Sequence, residues 1–248
     1  MKKIYLLIQG HTKYCREVLD NVRDVENVIW STEASASIND LKDINNSNVT
    51  LAKSPAPAYA GYGNVNLQIN STVSGLHLAK ALGATHVIKI RSDLIFTDPK
   101  EFIDTYKFDD RIHQMAYCKH TDKCIPITQH YGGLIPWIQE RYSALVEDVN
   151  DYNYIADFAN LGPIDEMINF WSLPYEDTPI YIPAEFKLVL RYLELKGYKD
   201  VSLSYKYFSS LFGFFMTFCK ETNNPLISLK NGWTSNDLLK SSDVEWIG

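Results

Sequence analysis

The stretch from Gly61 to Pro99 constrains the fold most, because it combines a helix, a buried strand and the start of a second helix. The first helix carries an apolar stripe at positions i, i+4 and i+7: Ile69, Val73 and Leu76. Gly83 follows at the position where a glycine commonly ends a helix. The short, mostly apolar run from His86 to Arg91 predicts a buried strand. Asp98, with Glu101 three residues later, predicts a capped helix start.

Polar side chains follow the predicted strand directly, at Arg91, Ser92 and Asp93. In α/β sheets, ligands bind in the crevice outside the carboxyl ends of the strands, and these residues stand at such an end. Asn66 and Gln68 add two amide groups upstream. A carboxylate and a guanidinium with amides close by predict a site for a metal and a phosphorylated ligand.

The first fifty residues repeat a strand–helix pattern. Ile4–Ile8 predicts a buried strand, and apolar residues at helical spacing follow it: Cys15, Val18, Leu19, Val22 and Val25. Asn27–Trp30 and Val49–Leu51 are the next predicted strands. This order predicts an α/β fold with a mostly parallel sheet and helices on both faces. We expect a single domain over residues 1–200, with a helical or irregular extension over 201–248 packed on it.

The turn after the first strand, Gln9-Gly10-His11-Thr12, carries no standard nucleotide motif. A dinucleotide-binding domain would show G-x-G-x-x-G here, and a P-loop enzyme would show G-x-x-x-x-G-K-[ST]. Gly10 nevertheless permits a ligand to approach the backbone closely. The turn therefore has two interpretations, a plain connection or a contact with a nucleoside.

Several short motifs, in their order and spacing, resemble the WavE family of lipopolysaccharide-type glycosyltransferases. They lie within residues 1–197 and are Asn64-Val-Asn66-Leu-Gln68, Ser71-Thr72-x-x-Gly75-Leu76, Val87-Ile-Lys-Ile-Arg91-Ser92-Asp93, Asp157-Phe-Ala-Asn-Leu-Gly162-x-x-Asp165-Glu166-Met-x-x-Phe170-Trp171 and Pro183-Ala-Glu185-Phe. The resemblance implies a GT-A fold and transfer of a sugar from a nucleoside diphosphate sugar to a hydroxyl of a glycan or glycolipid. It also implies which residues bind the donor: Gln9, Gly10, His11, Asn66, Gln68, Arg91, Ser92 and Asp93.

The same resemblance implies a divalent cation, Mn²⁺ or Mg²⁺, held by Asp93 against the leaving diphosphate. The usual GT-A metal motif is Asp-x-Asp, whereas Arg91-Ser92-Asp93 offers one carboxylate. The cation is then held mainly by phosphates and water, or is not needed. Arg91 is expected to pair with phosphate or to fix the carboxylates of the site.

An inverting transfer needs a carboxylate that takes the proton of the acceptor hydroxyl. The candidates are Asp157, Asp165, Glu166 and Glu185. The last three stand in the first turns of predicted helices, where acids also stabilise the helix dipole. Asp157 lies among apolar residues, where an unpaired charge is costly and where its pKa would be raised toward the range useful for a base. Asp157 therefore ranks first and Asp165 second.

Three other functions are compatible with the residues. A GT-A-like nucleotidyltransferase would make the nucleotide sugar, but it usually has a Gly-rich, basic first loop, which residues 9–12 lack. A nucleotide-sugar-binding protein would bind the same ligand without turnover. A structural domain would bind no nucleotide.

Composition narrows the remaining choices. A net charge of −6 over 248 residues argues against broad nucleic-acid binding, which needs a basic face. The four cysteines form no CxxC pair, which favours free thiols and a cytoplasmic location. The N-terminal apolar run is too short for a signal peptide. The aromatic run 207–219 is too short to span a bilayer and is expected to pack on the domain, with an interfacial helix or a dimer contact as the alternative.

Overall fold

A computed structural model describes residues 2–61, 64–96, 98–106, 108, 110–116, 155–174, 188, 192, 195–196, 215–217 and 226–228. These residues contain a seven-stranded sheet and a two-stranded sheet. The strands are β1 (Ile4–Gln9), β2 (Val28–Glu33), β3 (Thr50–Ser54), β4 (His86–Arg91), β5 (Leu94–Phe96), β6 (Ile112–Ala116), β7 (Ile155–Pro163), β8 (Phe215–Thr217) and β9 (Leu226–Ser228). The helices whose full extent is described are α1 (Cys15–Asn21), α2 (Ile38–Asn45), α3 (Val65–Ala81), α4 (Pro99–Thr105) and α5 (Ile164–Trp171).

The large sheet has the strand order β3-β2-β1-β4-β7-β6-β8. The first four strands in this order are parallel to one another. β7 runs antiparallel to both β4 and β6, and β8 runs parallel to β6. Parallel neighbours need crossover helices, which cover the faces of the sheet. The predicted α/β fold with a mostly parallel sheet is confirmed.

Alternate residues of the central strands enter two different cores. Leu6 and Ile8 of β1 pack with buried residues of α1, α2 and α4 on one face. Tyr5 and Leu7 of the same strand pack with buried residues of α3 and α5 on the other face. Because side chains of a strand point alternately to its two faces, helices cover both sides of the sheet, as predicted.

α3 lies close against β1 and β2 because Gly75 faces them. A Cβ at this position would come within 2.4 Å of Leu7 Cδ1 and 3.0 Å of Ser31 Cβ. No side chain larger than hydrogen fits without a shift of the neighbours. The short distance between α3 and these strands at Gly75 places the N-terminal half of α3 near the carboxyl ends of β1 and β2.

Both helix signals of the stretch 61–99 are confirmed. Gly83 adopts a φ of +86° just after α3, as a helix-ending glycine does. The Asp98 side chain accepts a hydrogen bond from the Glu101 backbone N–H at 2.9 Å, and α4 begins at Pro99. The end of α3 at Gly83 and the start of α4 at Asp98 delimit the segment that contains β4, the strand that pairs with β1.

Two short strands, β8 and β9, lie within the predicted extension 201–248. β8 joins the edge of the large sheet, and β9 pairs antiparallel with β5. The aromatic and β-branched residues around these segments suit strands. The rest of the extension lies outside the described residues. No described helix combines the length and apolar character needed to cross a membrane.

Candidate functional site

The carboxyl ends of β1 and β4 lie where the strand order of the sheet reverses, and this place is called the crevice below. From β1 the chain adds β2 and β3 toward one edge, and then returns through α3 to place β4 on the other side of β1. At such a reversal of strand order, the loops diverge and leave room for a ligand. Gln9 and Arg91 are direct register partners. The two polar segments predicted from the sequence therefore meet here.

Gly10 lies directly against Ser92. Its φ is +133°, a conformation that L side chains rarely adopt, and a Cβ would stand 2.6 Å from Ser92 Oγ. Two backbone hydrogen bonds hold this contact, from Gly10 N–H to the Ser31 carbonyl at 3.0 Å and from Ser92 N–H to the Gln9 carbonyl at 2.8 Å. The position requires glycine, because Ser92 occupies the space that a Cβ would take and because the backbone conformation is unfavourable for other residues.

Arg91 and Asp93 form a two-pronged ion pair at the end of β4. The Arg91 Nε donates to Asp93 Oδ1 at 3.0 Å, and Nη2 donates to Oδ2 at 2.7 Å. The side chain of Arg91 is 21% exposed and that of Asp93 is 5% exposed. The pair thus fixes a planar cation at the mouth of the crevice, with its carboxylate partner beneath it.

The described residues do not fit the predicted metal site. Both carboxylate oxygens of Asp93 accept from one guanidinium, and the side chain is almost fully buried. No cluster of three or more His, Cys, Asp or Glu side chains suited to a metal occurs in the described part of the chain. A divalent cation seeks several oxygen ligands and would have to displace Arg91 from Asp93.

Side chains of α3 reach the end of β1. Gln9 Nε2 donates to Ser71 Oγ at 3.0 Å, and Ser31 Oγ donates to the Ser71 carbonyl at 2.5 Å. All three residues are buried. Gln68, one of the predicted contacts, lies on the same helix and is half-buried. The first two turns of α3 therefore form one wall of the crevice.

Asn66 and His11, two further predicted contacts, have other surroundings. Asn66 is buried, and its Nδ2 donates to the Tyr59 carbonyl at 3.0 Å, which fastens the loop before α3. His11 is exposed, its ring lies 5.7 Å from the ring of Tyr14, and its Nδ1 accepts from the Lys13 N–H. Asn66 thus holds the loop before α3 in place. His11 is exposed and directly follows Gly10 in the chain.

Lys89 is a buried cation that the sequence analysis did not single out. It lies two residues before Arg91 and has no exposed surface. Its Nζ lies 4.4 Å from the centroid of the Trp171 ring, and its register partner in β7 is Asn160. Burying an ammonium is costly without compensating contacts. The sequence signal for this buried cation was a lysine between two isoleucines, Ile88 and Ile90, inside a predicted buried strand.

Asp165 lies at the opposite edge of the sheet from the crevice. α5 starts beside the amino end of β4, where the Ile164 N–H donates to the Thr85 carbonyl at 3.0 Å. Asp165 is exposed and forms an ion pair with Lys80 at 2.7 Å. About 3.3 Å of rise per residue along β4 puts the two edges roughly 17 Å apart. The structure therefore does not bring Asp165 to the crevice, where the other predicted site residues lie.

Glu166 belongs to a network with Tyr192 and Lys196. The Tyr192 hydroxyl donates to the Glu166 carboxylate, and Lys196 Nζ lies 2.8 Å from Glu166 Oε2. Burial by itself would raise the pKa of Glu166, but the hydrogen bonds from Lys196 and Tyr192 and the charge of Lys196 lower it overall. Burial and the neighbouring carboxylate raise the pKa of Tyr192. Glu166 is thus held as an ionised anchor, whereas a general base profits from a raised pKa.

Asp157 stands at the crevice edge of β7. Ala159 pairs with Ile90 of β4 in antiparallel register, and Asp157 lies two residues further along β7, toward the carboxyl end of β4. Glu185 lies outside the described residues. Among the candidate bases that the structure describes, Asp157 is the one that the sheet brings to the carboxyl end of β4.

No protein-family model and no curated protein matches the chain, so these comparisons give no support to the WavE resemblance. Solved structures similar to the chain include the bifunctional glycosyltransferase WbbM, at 11% identity and a TM-score of 0.37; the match covers 68% of this chain and 34% of that one. A glycosyltransferase that acts in glycosylation of the major capsid of PBCV-1 matches at 15% identity and a TM-score of 0.42, covering 86% and 80%.

The galactosyltransferase LgtC, solved with donor and acceptor sugar analogues, matches at 12% identity and a TM-score of 0.42, covering 87% of this chain and 73% of that one. Nucleotidyltransferases occur among the similar structures as well. At these identities and TM-scores, the likeness carries no information about the reaction.

Proposed function

We propose that the protein is a glycosyltransferase that moves a sugar from a nucleoside diphosphate sugar, with uridine or guanosine as the nucleoside, to a hydroxyl group of a glycan or glycolipid. One observation carries the proposal: Gln9–Gly10 and Arg91–Asp93 meet where the strand order of the sheet reverses. Open α/β sheets bind nucleotides in such a crevice. The motif resemblance supports the choice of sugar transfer as the reaction.

Arg91 is the described cation at the mouth of the crevice that suits a diphosphate. Its planar guanidinium can donate two parallel hydrogen bonds to a phosphate group. As the bond between the sugar and the diphosphate breaks, the electron pair passes to a diphosphate oxygen. A cation that Asp93 already holds in place stabilises this charge with little reorganisation. No step of this transfer uses a metal bound to Asp93.

Asp157 is the proposed base for an inverting transfer. The acceptor hydroxyl oxygen attacks the anomeric carbon, and the new carbon–oxygen bond forms as the bond to the diphosphate breaks. The proton of that hydroxyl passes to the Asp157 carboxylate. The place of Asp157 on β7, two residues beyond the Ala159–Ile90 pair, supports this role, since it puts the backbone of the residue toward the edge where the donor is proposed to lie.

Binding and product analysis together test the proposed function. Thermal shifts would be measured with UDP, GDP and their sugar conjugates at millimolar concentration, each with and without Mn²⁺. A sugar nucleotide that stabilises the protein is then incubated with glycan acceptors. Release of the nucleoside diphosphate with a glycosylated product supports the proposal. No stabilisation by any nucleotide would overturn it, and formation of a sugar nucleotide with release of pyrophosphate would identify a nucleotidyltransferase instead.

A further inference from the structure

Three buried oxygen atoms lie at the carboxyl end of β1 and on the N-terminal half of α3, a region called the seam below. They are Oε1 of Gln9, Oε1 of Gln68 and Oγ1 of Thr72, and none has a hydrogen-bond partner in the structure. Gln9 and Thr72 are buried as whole residues, and Gln68 is half-buried. Buried polar atoms in folded proteins nearly always have a partner, so three such atoms along one seam call for a ligand or ordered water.

The three atoms belong to one continuous wall. Gln9 is bonded through Nε2 to Ser71, the residue next to Thr72 on α3. Gln68 precedes Thr72 by four residues, which places the two on the same face of the helix, one turn apart. Because Gln68 is half-buried, the seam reaches the surface at that residue.

The hydrogen bonds of Ser71 determine which atom Gln9 presents. The single hydroxyl hydrogen of Ser71 points to the Leu67 carbonyl, with an oxygen–oxygen distance of 2.7 Å. Ser71 Oγ must therefore accept from Gln9, which assigns the bonded end of the amide as the NH₂ group and the other end as the carbonyl oxygen. The orphan atom of Gln9 is thus an acceptor.

Acceptors on this wall select for a ligand that donates hydrogen bonds. A phosphate group brings only acceptor oxygens at neutral pH and would be repelled by the Gln9 carbonyl oxygen. A ring that carries hydroxyl groups supplies one donor for each oxygen and remains neutral, so its burial is less costly than burial of a charge. Satisfying orphan polar groups also gives strong discrimination against analogues that lack the hydroxyl.

We propose that Gln9, Gln68 and Thr72 form the pocket for the ring hydroxyl groups of the bound nucleotide sugar, and that they select the ring. The inference rests on the proposed function and deepens it. Arg91 is the register neighbour of Gln9, so a donor with its diphosphate at Arg91 has its adjoining ring within reach of the seam. The hydroxyls belong to the transferred sugar or to the ribose, which carry the same chemistry.

Thr72→Val and Gln68→Met test the pocket, because each removes an orphan oxygen at nearly constant side-chain volume. Thr105→Val is the matched control, since Thr105 is a helical threonine on α4, which packs on the other face of the sheet. Melting temperatures are measured without ligand, and dissociation constants are measured by calorimetry for UDP, GDP, UDP-glucose and GDP-mannose.

We expect both test variants to melt at or above the wild-type temperature, since an orphan buried hydroxyl or amide contributes no bond in the free protein. We expect their affinity for the bound sugar nucleotide to fall about tenfold or more, whereas Thr105→Val binds as the wild type does. Loss confined to sugar nucleotides assigns the pocket to the sugar, and equal loss for the bare diphosphates assigns it to the ribose.

Unchanged affinity in both test variants would overturn the inference and leave the three oxygens to buried water, while the proposed function would stand. A fall in melting temperature with unchanged affinity would likewise show a purely structural role. If the wild type binds none of the four nucleotides, the proposed function fails and the inference fails with it. The two failures are therefore told apart by the wild-type measurement alone.

Discussion

The guanidinium of Arg91 holds both carboxylate oxygens of Asp93, at 3.0 Å from Nε and 2.7 Å from Nη2. The two residues are separated only by Ser92, which packs against Gly10 of the neighbouring strand end. The pair is therefore anchored to the backbone contact that closes the bottom of the crevice. A change to either member alters the position of the other, and the predictions for this site follow from that dependence.

Arg91→Lys and Asp93→Asn should each lower turnover on the order of a hundredfold, because either change removes the fixed planar cation opposite the leaving group. Lysine keeps the charge but lacks the two-pronged geometry. The double variant should be little worse than each single one, since the two residues act as a unit. Steady-state kinetics of the three variants checks this, and independent, multiplicative losses would contradict it.

Any effect of divalent cations on donor binding should be the same in the wild type and in Asp93→Asn. Asp93 is engaged by Arg91 and almost fully buried, so it is not available as the main ligand of a cation. The measurement is the dissociation constant of the bound sugar nucleotide in EDTA and in Mn²⁺. A loss of affinity in EDTA that Mn²⁺ restores, and that disappears in Asp93→Asn, would show that the cation displaces Arg91 after all.

Gly10→Ala should destabilise the fold by about 1–3 kcal/mol, because the new Cβ meets Ser92 Oγ and the backbone conformation is strained. Gly83→Ala separates these causes. Its φ is also positive, but its Cβ would meet only Lys3 Nζ, at 3.8 Å. Urea unfolding of both variants should therefore show the smaller loss at Gly83, about 1–2 kcal/mol. Equal losses would mean that the Ser92 contact does not matter.

Asp157→Asn should abolish most turnover without loss of the fold, because the amide cannot take the acceptor proton. Asp165→Asn should remain active, since it removes only an exposed ion pair with Lys80, a change within about 0.5 kcal/mol. Turnover and melting temperature are measured side by side for both variants. An inactive but stable Asp165→Asn, together with an active Asp157→Asn, would reverse the assignment.

Glu166→Gln should lower the melting temperature at pH 7, and the difference from wild type should vanish in acid. The Glu166 pKa in the folded protein is lower than its value in the unfolded chain, about 4.3. The ionised carboxylate thus stabilises the fold above that pH, and the stabilisation is lost as pH falls through the lowered folded pKa. Thermal unfolding between pH 3 and 8, at about one-unit steps, checks the sign. A difference that does not become smaller as the pH falls would exclude the ionised network as its cause.

Local signals in the sequence determined the elements of the stretch 61–99. The spacing of apolar residues, the glycine after α3 and the capping Asp98 all act within a few residues, so they can be read without the fold. The alternation of strands and helices likewise predicted a mostly parallel sheet. It also predicted that Gln9–Gly10 and Arg91–Asp93 would share one edge, because carboxyl ends of parallel strands lie together.

Long-range pairing decided the roles of the remaining candidates. Asp157 and Asp165 are eight residues apart in the sequence, yet β7 runs antiparallel to β4 and carries them to opposite edges of the sheet. The apolar neighbours of Asp157 ranked it ahead of Asp165, but the edge of the sheet that each residue reaches depends on how β7 pairs with β4, which the sequence alone does not give. Likewise, the Arg91–Asp93 ion pair, the seam at Thr72 and the burial of Lys89 depend on side-chain packing between elements. These contacts exist only once α3, β1 and β4 have come together.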